Sequence, residues 1–196
     1  LSPIGNRPIY YTTDGSLPDT TSRIYTEPLK IKENTKLKAV VITPEDTSNV
    51  FEEQIRVNKA TFKPSWLANA PHENYTFNGV STLTDGLSGN QNYNTGRWLG
   101  FLKDMVLTID LQKPTSVSSV SLTVNVSKGA AVMDATGMEV WCSADGENFR
   151  QLASASYPVL GKEDKDGIYP HSLSFPEIET RYVRIIAKVT PKLPAW

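Results

Sequence analysis

The sequence predicts an all-β protein of sandwich type. Apolar residues recur at every second position in several stretches, for example residues 120–126, and a strand with one buried face requires this period. No long stretch has the apolar spacing of three and four residues that is typical of a helix. The 13 prolines and 12 glycines separate the alternating stretches, as expected for turns between short strands. Short strands of this kind bury their apolar faces by packing sheet on sheet.

The alternation also predicts which residues of each strand point into the core. The inward positions are Leu37, Ala39 and Val41, then Met105, Leu107, Ile109 and Leu111, then Val120, Leu122, Val124 and Val126, then Met138, Val140 and Cys142, and finally Val183, Ile185 and Ala187. The residues between them, such as Lys38, Thr108 and Asn125, are expected on the opposite, outward face.

Composition excludes several classes of function. The 196 residues carry 20 Lys+Arg against 21 Asp+Glu, and a net charge of -1 does not suit a protein that neutralises nucleic-acid phosphates or anionic lipid. No apolar run approaches the ~18 residues of a transmembrane segment. The single cysteine, Cys142, excludes an internal disulfide and a multi-cysteine zinc site. The sequence has only two histidines, His72 and His171, which argues against a metal-dependent hydrolase and against a Ser-His-Asp triad.

A change of composition near residues 57–60 predicts two domains, residues 1–57 and residues 58–196. The first is rich in Thr, Lys and Glu and contains a turn signal, Asp14-Gly15, directly after an apolar strand. The second has longer loops, more aromatic residues and several Asn and Gly clusters. The two parts share no internal repeat, so we expect two different folds.

Three motifs of the first domain resemble those of a known family. They are residues 11–18 (YTTDGSLP), residues 25–28 (YTEP) and residues 37–39 (LKA). In this order they resemble the small Fn3/Ig-like domain that follows the catalytic barrel of bacterial β-hexosaminidases and chitobiases. The resemblance implies a small β-sandwich whose first strand is shortened here, because only Leu1 and Ser2 precede the first turn.

The second domain resembles a discoidin domain, also called factor V/VIII C type. The motifs are residues 83–86 (LTDG), 96–101 (GRWLGF), 106–111 (VLTIDL), 139–149 (EVWCSADGENF) and 181–187 (RYVRIIA). Their order and spacing imply a galactose-binding-like jelly roll, and the carbohydrate-binding members of this family form family 32 of the carbohydrate-binding modules. Discoidin domains usually end with a closing strand, and we expect this strand either to be missing from the sequence or to lie beyond residues 193–196.

The pair of domains is similar to the C-terminal tail of family 20 glycoside hydrolases from gut Bacteroidetes, which remove terminal N-acetylhexosamine. Some α-fucosidases carry comparable tails, so the parent enzyme stays open. The resemblance implies an extracytoplasmic location (periplasm, outer surface or secreted) and a catalytic domain of the same chain as partner. We assign no catalytic residue, because the chain has no room for a barrel of ~250 residues. The adjacent acidic pairs at 45–46, 52–53 and 163–164 lie in polar surroundings, as solvated surface residues do.

Two loops supply the side chains that a sugar site needs, an aromatic plane for the C–H face and polar groups for the hydroxyls. We predict Tyr75, Arg97 and Trp98 as the contact residues, with His72 and Asn94 in support. Family resemblance alone names galactose, N-acetylgalactosamine and N-acetylglucosamine as ligands. Two alternatives remain open: a scaffold that packs on the catalytic barrel without a ligand, and a module for protein or cell-surface adhesion. A buried Trp98 favours the scaffold, and an open aromatic with polar neighbours favours the sugar.

The family 32 resemblance also implies a structural Ca²⁺ near Asp85-Gly86. Ca²⁺ takes six to eight oxygens, many of them backbone carbonyls. Asp85 supplies the carboxylate, and Leu83, Ser88 and Asn90 add carbonyl or side-chain oxygens. The alternative is that Asp85-Gly86 is only a tight turn.

Overall fold

The computed structural model describes residues 7–192 and divides them into two compact units. The first contains the described residues up to Asn58 together with residues 86–88, and the second contains residues 59–85 and those from Gly89 onward. The shortened first strand expected at Leu1 and Ser2, and the chain end at residues 193–196, lie outside the described residues.

The first unit is built on one four-stranded antiparallel sheet with the order β2-β1-β3-β4. The strands are β1 (Ile9–Thr12), β2 (Arg23–Ile24), β3 (Thr35–Val41) and β4 (Phe51–Ile55). The predicted turn follows β1, where the Asp14 carboxylate accepts hydrogen bonds from the N–H and the hydroxyl of Ser16. Gly15 has a φ of +87°, which a glycine adopts without steric cost.

The second unit contains five antiparallel strands with the order β5-β6-β9-β7-β8. They are β5 (Ser65–Leu67), β6 (Met105–Val126), β7 (Gly137–Ser143), β8 (Arg150–Ser156) and β9 (Gly167–Lys188). The helical segments of the described chain are three 3-10 turns at Glu73–Tyr75, Gly79–Leu83 and Lys128–Ala130. These observations confirm the predicted all-β class.

The two longest strands, β6 and β9, have 22 residues each and pair with one another along most of their length. The pairing is irregular between Asp110 and Thr115, which divides β6 into two halves. Strand β5 pairs with the first half of β6, and β7 pairs with β8 and with the last part of β9. Residues from both halves, such as Leu107 and Val117, belong to one buried cluster. The hairpin therefore folds over itself and encloses the core, as in a jelly roll.

An ion pair fixes the hairpin at the irregular point. The guanidinium of Arg181 donates from Nε and one Nη to the two carboxylate oxygens of Asp110, at 2.9 Å each. The hydrogen bond from Arg181 holds the pKa of Asp110 below its usual value. Such a bidentate pair fixes direction as well as distance, so it joins β6 and β9 where their register is lost.

The core of the second unit confirms the predicted inward positions of its strands. The alternating residues of the first half of β6, of β7 and of the end of β9 are all buried, whereas Val120, Leu122 and Val124 in the second half of β6 are half-buried and pack against the same core. Two residues assigned to the outward face are buried as well: Thr108 is 2% exposed and Asn125 is 4% exposed. Thr108 shares its face with Trp66 and Arg184 on the neighbouring strands, and Arg184 Nε donates to its hydroxyl. The alternation assigned Thr108 and Asn125 to the correct face of the strand, but it does not show that other parts of the chain cover this face.

No helix among residues 7–192 has the length and apolar character needed to cross a membrane.

Replacing the buried Met138 by alanine is expected to lower the free energy of unfolding by about 2–5 kcal/mol, because a cavity remains in the core. Leu102→Ala is the control, since Leu102 is 80% exposed and a surface change of this kind stays within about 0.5 kcal/mol. Urea denaturation followed by circular dichroism measures both. Equal effects of the two substitutions would contradict the assigned core.

Candidate functional site

Several loops of the second unit come together at one end of its strands. The His72 N–H donates to the Gly100 carbonyl at 2.7 Å, which joins the loop after β5 to the segment before β6. The segment before β7 is tied to the end of β9, because the Thr136 N–H donates to the Lys188 carbonyl at 2.9 Å. Thr190 Oγ1 donates to the Asp134 carbonyl at 3.2 Å in the same region. The Val189 N–H donates to Asp104 Oδ1 at 3.0 Å and connects the two groups of bonds. Residues 72, 100, 104, 134 and 136 therefore lie at one end of the jelly roll.

Aromatic rings connect two of these loops. The rings of His72 and Tyr75 have centroids 5.9 Å apart, and Tyr75 meets Tyr93 edge to face at 6.1 Å. A Cβ added at Gly100 would lie 3.0 Å from the Tyr75 ring, so the Tyr75 side chain packs closely against the backbone at Gly100. The structure thus brings together His72 and Tyr75, two of the predicted sugar contacts, and adds Tyr93 beside them.

The loop between residues 90 and 98 is ordered by its own asparagines. Asn90 Oδ1 accepts from the Asn92 N–H at 2.9 Å, and Asn92 Oδ1 accepts from the Asn94 N–H at 3.0 Å. These Asx turns occupy the side-chain oxygens of Asn90 and Asn92. The predicted contact Asn94 is exposed at the tip of the loop, where its amide can meet a ligand.

Trp98 stabilises this loop through contacts with Gly89 and Asn90. Its indole Nε1–H donates to the Asn90 carbonyl at 2.9 Å. Its ring lies against Gly89, where an added Cβ would be 2.2 Å from a ring carbon. Trp98 and the preceding Arg97 are half-buried. Because its N–H and part of its ring surface contact the loop itself, Trp98 contributes to the shape of the site more than to an open stacking surface.

Sequence reasoning missed Phe77, which is the most exposed aromatic residue among residues 72–104. Its side chain is 41% exposed, its φ is +33°, and its ring contacts Gly96, where an added Cβ would be 3.3 Å away. A positive φ is strained for a residue of this size. The signal available in the sequence was an aromatic residue inside the polar run of residues 72–79. Phe77 offers the exposed ring that Trp98 does not.

A buried polar group supports the loop at residues 127–136. His171 Nε2 and Asp134 Oδ1 are 2.7 Å apart, and the Tyr157 ring stacks on His171 at 4.0 Å. Burial, and then the negative charge of Asp134, raise the pKa of Tyr157. The three side chains contain no activated nucleophile, and they tie the loop to β9. His171 is therefore a structural residue of this end of the fold.

The predicted calcium ligands Leu83, Asp85, Ser88 and Asn90 lie within eight consecutive residues of the chain. Asp85 and Leu83 belong to the second unit, whereas Ser88 lies in the short stretch that groups with the first. The Asn90 carbonyl already accepts from Trp98 and Asn125, and its Oδ1 accepts from Asn92. All four predicted residues carry oxygens of the kind that Ca²⁺ takes, and Asn90 Oδ1 keeps a second lone pair, so the calcium site stays a prediction. Within residues 7–192 no cluster of three or more His, Cys, Asp or Glu suits a metal ion.

Comparison with known proteins identifies two regions. Residues 1–55 match the family model described as Fn3 associated, and residues 68–192 match the model of the F5/8 type C domain. No curated protein matches the sequence.

Many solved structures resemble the second region. Chitosan-binding module 1 of a chitosanase/glucanase from Paenibacillus sp. IK-5 has 14% identity and a TM-score of 0.45, over 70% of this chain and 91% of that one. The lectin domain of lectinolysin, solved with Lewis B antigen, has 17% identity and a TM-score of 0.48, over 68% and 87%. A pectin-binding carbohydrate-binding module has 16% identity and a TM-score of 0.42, over 67% and 82%.

The family assignment depends on the sequence match rather than on these distant structures. The matched region covers most of the second unit, including all of β6, β7, β8 and β9. It also contains the loop residues described above, from His72 to Asp134. The chain belongs to the F5/8 type C domain family.

Proposed function

We propose that the second unit binds terminal sugars of glycans, as part of the non-catalytic C-terminal region of a secreted glycoside hydrolase. The observation that carries the proposal is a set of aromatic and polar side chains on neighbouring loops. The exposed ring of Phe77 lies beside Gly96. His72, Tyr75 and Tyr93 form an aromatic group, and the amide of Asn94 is exposed. The chitosan, Lewis B and pectin ligands named for similar structures agree with a sugar ligand.

The chemistry of a sugar matches these groups. The apolar face of a pyranose stacks on Phe77 or Tyr75, and its hydroxyls pair with the amide of Asn94 and the guanidinium of Arg97. Such a shallow site buries little area, so we expect a Kd of about 1 mM, or about -4 kcal/mol. Galactose, N-acetylgalactosamine and N-acetylglucosamine are the proposed ligands.

Weak binding has a use when the module is linked to an enzyme. A tethered sugar site raises the local concentration of glycan at a catalytic domain of the same chain. We propose a β-N-acetylhexosaminidase or chitobiase-like parent, with an α-fucosidase as the other candidate. We also propose that the protein works outside the cytoplasm, where such glycans occur.

A second candidate function is a scaffold without a ligand, and one observation favours it. Trp98 uses its N–H and part of its ring to hold its own loop. If Trp98 and its neighbours serve only to stabilise this end of the fold, the two units act as structural support for the catalytic domain.

Titration with the three sugars separates these functions. Phe77→Ala is expected to weaken binding about tenfold or more, because the stacking surface is lost (about 1.4 kcal/mol per tenfold). Phe62→Ala is the matched control, since Phe62 is also an exposed phenylalanine with positive φ, 76% exposed and located before β5. NMR or calorimetric titration up to tens of millimolar, well above the ~1 mM estimate, measures both.

The scaffold function replaces the sugar function if the wild-type protein shows no saturable shift with any of the three sugars. Equal binding by the wild type and by folded Phe77→Ala would place the contact surface elsewhere.

We expect the chain to have no glycosidase activity of its own, because opposed carboxylates in a cleft are needed for that reaction and none is assigned here. A pure sample incubated with p-nitrophenyl N-acetyl-β-glucosaminide should release no p-nitrophenol. Activity that co-purifies with the monodisperse protein would overturn this prediction.

We further propose that Asp85 anchors a structural Ca²⁺. A metal that binds only the folded state stabilises it by mass action, so a chelator should lower the melting temperature of the wild type. Asp85→Ala should remove this difference, and Glu177→Ala, which also removes one acidic side chain, should keep it. The calcium proposal fails if neither added Ca²⁺ nor chelator shifts the melting of the wild type.

A further inference from the structure

Asn125 is a buried asparagine near the end of β6, beneath the loop of the proposed sugar site. It is 4% exposed and pairs with Ile168 of β9. Its neighbour Val126 is fully buried, and consecutive strand residues point to opposite faces. The side chain of Asn125 therefore lies on the face away from Val126, where residues 90 and 91 cover it.

Asn125 satisfies two consecutive carbonyl groups of that loop. Its Nδ2 donates to the carbonyls of Asn90 and Gln91, at 3.0 Å each. The Asn90 carbonyl also accepts from Trp98 Nε1–H at 2.9 Å. The Asn90 carbonyl thus connects its own loop to Asn125 on β6 and to the indole of Trp98. Two donors from one planar amide fix the orientation of the peptide between residues 90 and 91.

The Oδ1 atom of Asn125 shows that this side chain acts through its N–H donors. Its Oδ1 is buried and has no hydrogen-bond partner among residues 7–192. A buried acceptor without a donor is costly. An amide rotated by 180° would be worse, because it would place Oδ1 against two carbonyl oxygens. The observed orientation keeps both N–H groups paired at the expense of one oxygen.

We infer that Asn125 is a positioning residue for the loop between residues 90 and 98, which carries the proposed sugar contacts Asn94, Arg97 and Trp98. Asn125 fixes the carbonyl of Asn90 by a hydrogen bond. The side chain of Asn90 begins the Asx turns that continue to Asn92 and Asn94. The indole N–H of Trp98 donates to the same Asn90 carbonyl. The consequence for binding rests on the function proposed above. The consequence for the loop does not, because it concerns hydrogen bonds that form without a ligand.

The substitution Asn125→Asp tests this role with little change of shape. At neutral pH the new carboxylate has no N–H to donate and faces two carbonyl oxygens, so the loop should detach. We expect sugar binding at least about tenfold weaker, an upfield shift of the Trp98 indole N–H in ¹H–¹⁵N spectra, and faster exchange of that proton. Thr123→Asp is the control, since Thr123 lies two residues earlier on the same strand and is exposed.

The pH dependence separates positioning from a general loss of stability. A protonated carboxyl group donates one O–H to a carbonyl, so lowering the pH should partly restore the Trp98 signal in Asn125→Asp. The wild type and Thr123→Asp should show no such recovery. A defect that is independent of pH would contradict the inference.

The two proposals fail in different ways. If the Trp98 indole signal of Asn125→Asp matches that of the wild type, Asn125 does not position the loop. If the signal changes as expected but the wild type binds none of the sugars, the loop role stands and the sugar function is wrong. Should Asn125→Asp not fold, hydrogen exchange of the wild type decides: a Trp98 indole proton that exchanges as fast as an exposed indole refutes the inference.

Discussion

The pairing of β6 with β9 is the interaction on which the second unit depends. Strand β5 has β6 as its partner, β7 has β9, and β8 has only β7, so each shorter strand is attached directly or indirectly to this hairpin. The hairpin also carries the core, because its two halves contribute residues to the same buried cluster. Its bend is held by the ion pair of Asp110 and Arg181. The loops that form the candidate site leave from the ends of these strands, so their arrangement follows from the hairpin.

The sequence predicted the strands and the core well, because both depend on a local pattern. A period of two assigns a face to each residue, and apolar residues on one face become the core. The pattern failed where the outward face is also covered. Thr108 lies beneath Arg184, which is 76 residues later in the chain, and Asn125 lies beneath a loop 34–35 residues earlier. Such contacts between distant segments leave no trace in the local period.

The candidate site shows the same limit more strongly. Residue types alone selected the loops that contain Tyr75, Asn94 and Trp98, but not the role of each residue. The role of Trp98 depends on the backbone of Gly89 and Asn90, and backbone geometry cannot be inferred from side-chain chemistry. Phe77 was missed because its exposure depends on a positive φ and on its contact with Gly96. The sequence thus indicates where a site lies, and the structure assigns the parts within it.

In the loop at residues 89–98, some residues hold the backbone conformation and others are exposed, and this separation affects which substitutions the loop tolerates. The frame consists of Gly89, where a Cβ would clash with the Trp98 ring, the Asn90 carbonyl that accepts from Asn125 and Trp98, and the Trp98 indole itself. The tip carries exposed side chains such as Asn94, which take no part in that frame through their own amide groups. Mutations at the tip can therefore alter ligand preference while the loop keeps its conformation. A library that varies the tip and keeps the frame would search binding specificities without searching folds, which makes this end of the domain a practical starting point for engineered recognition.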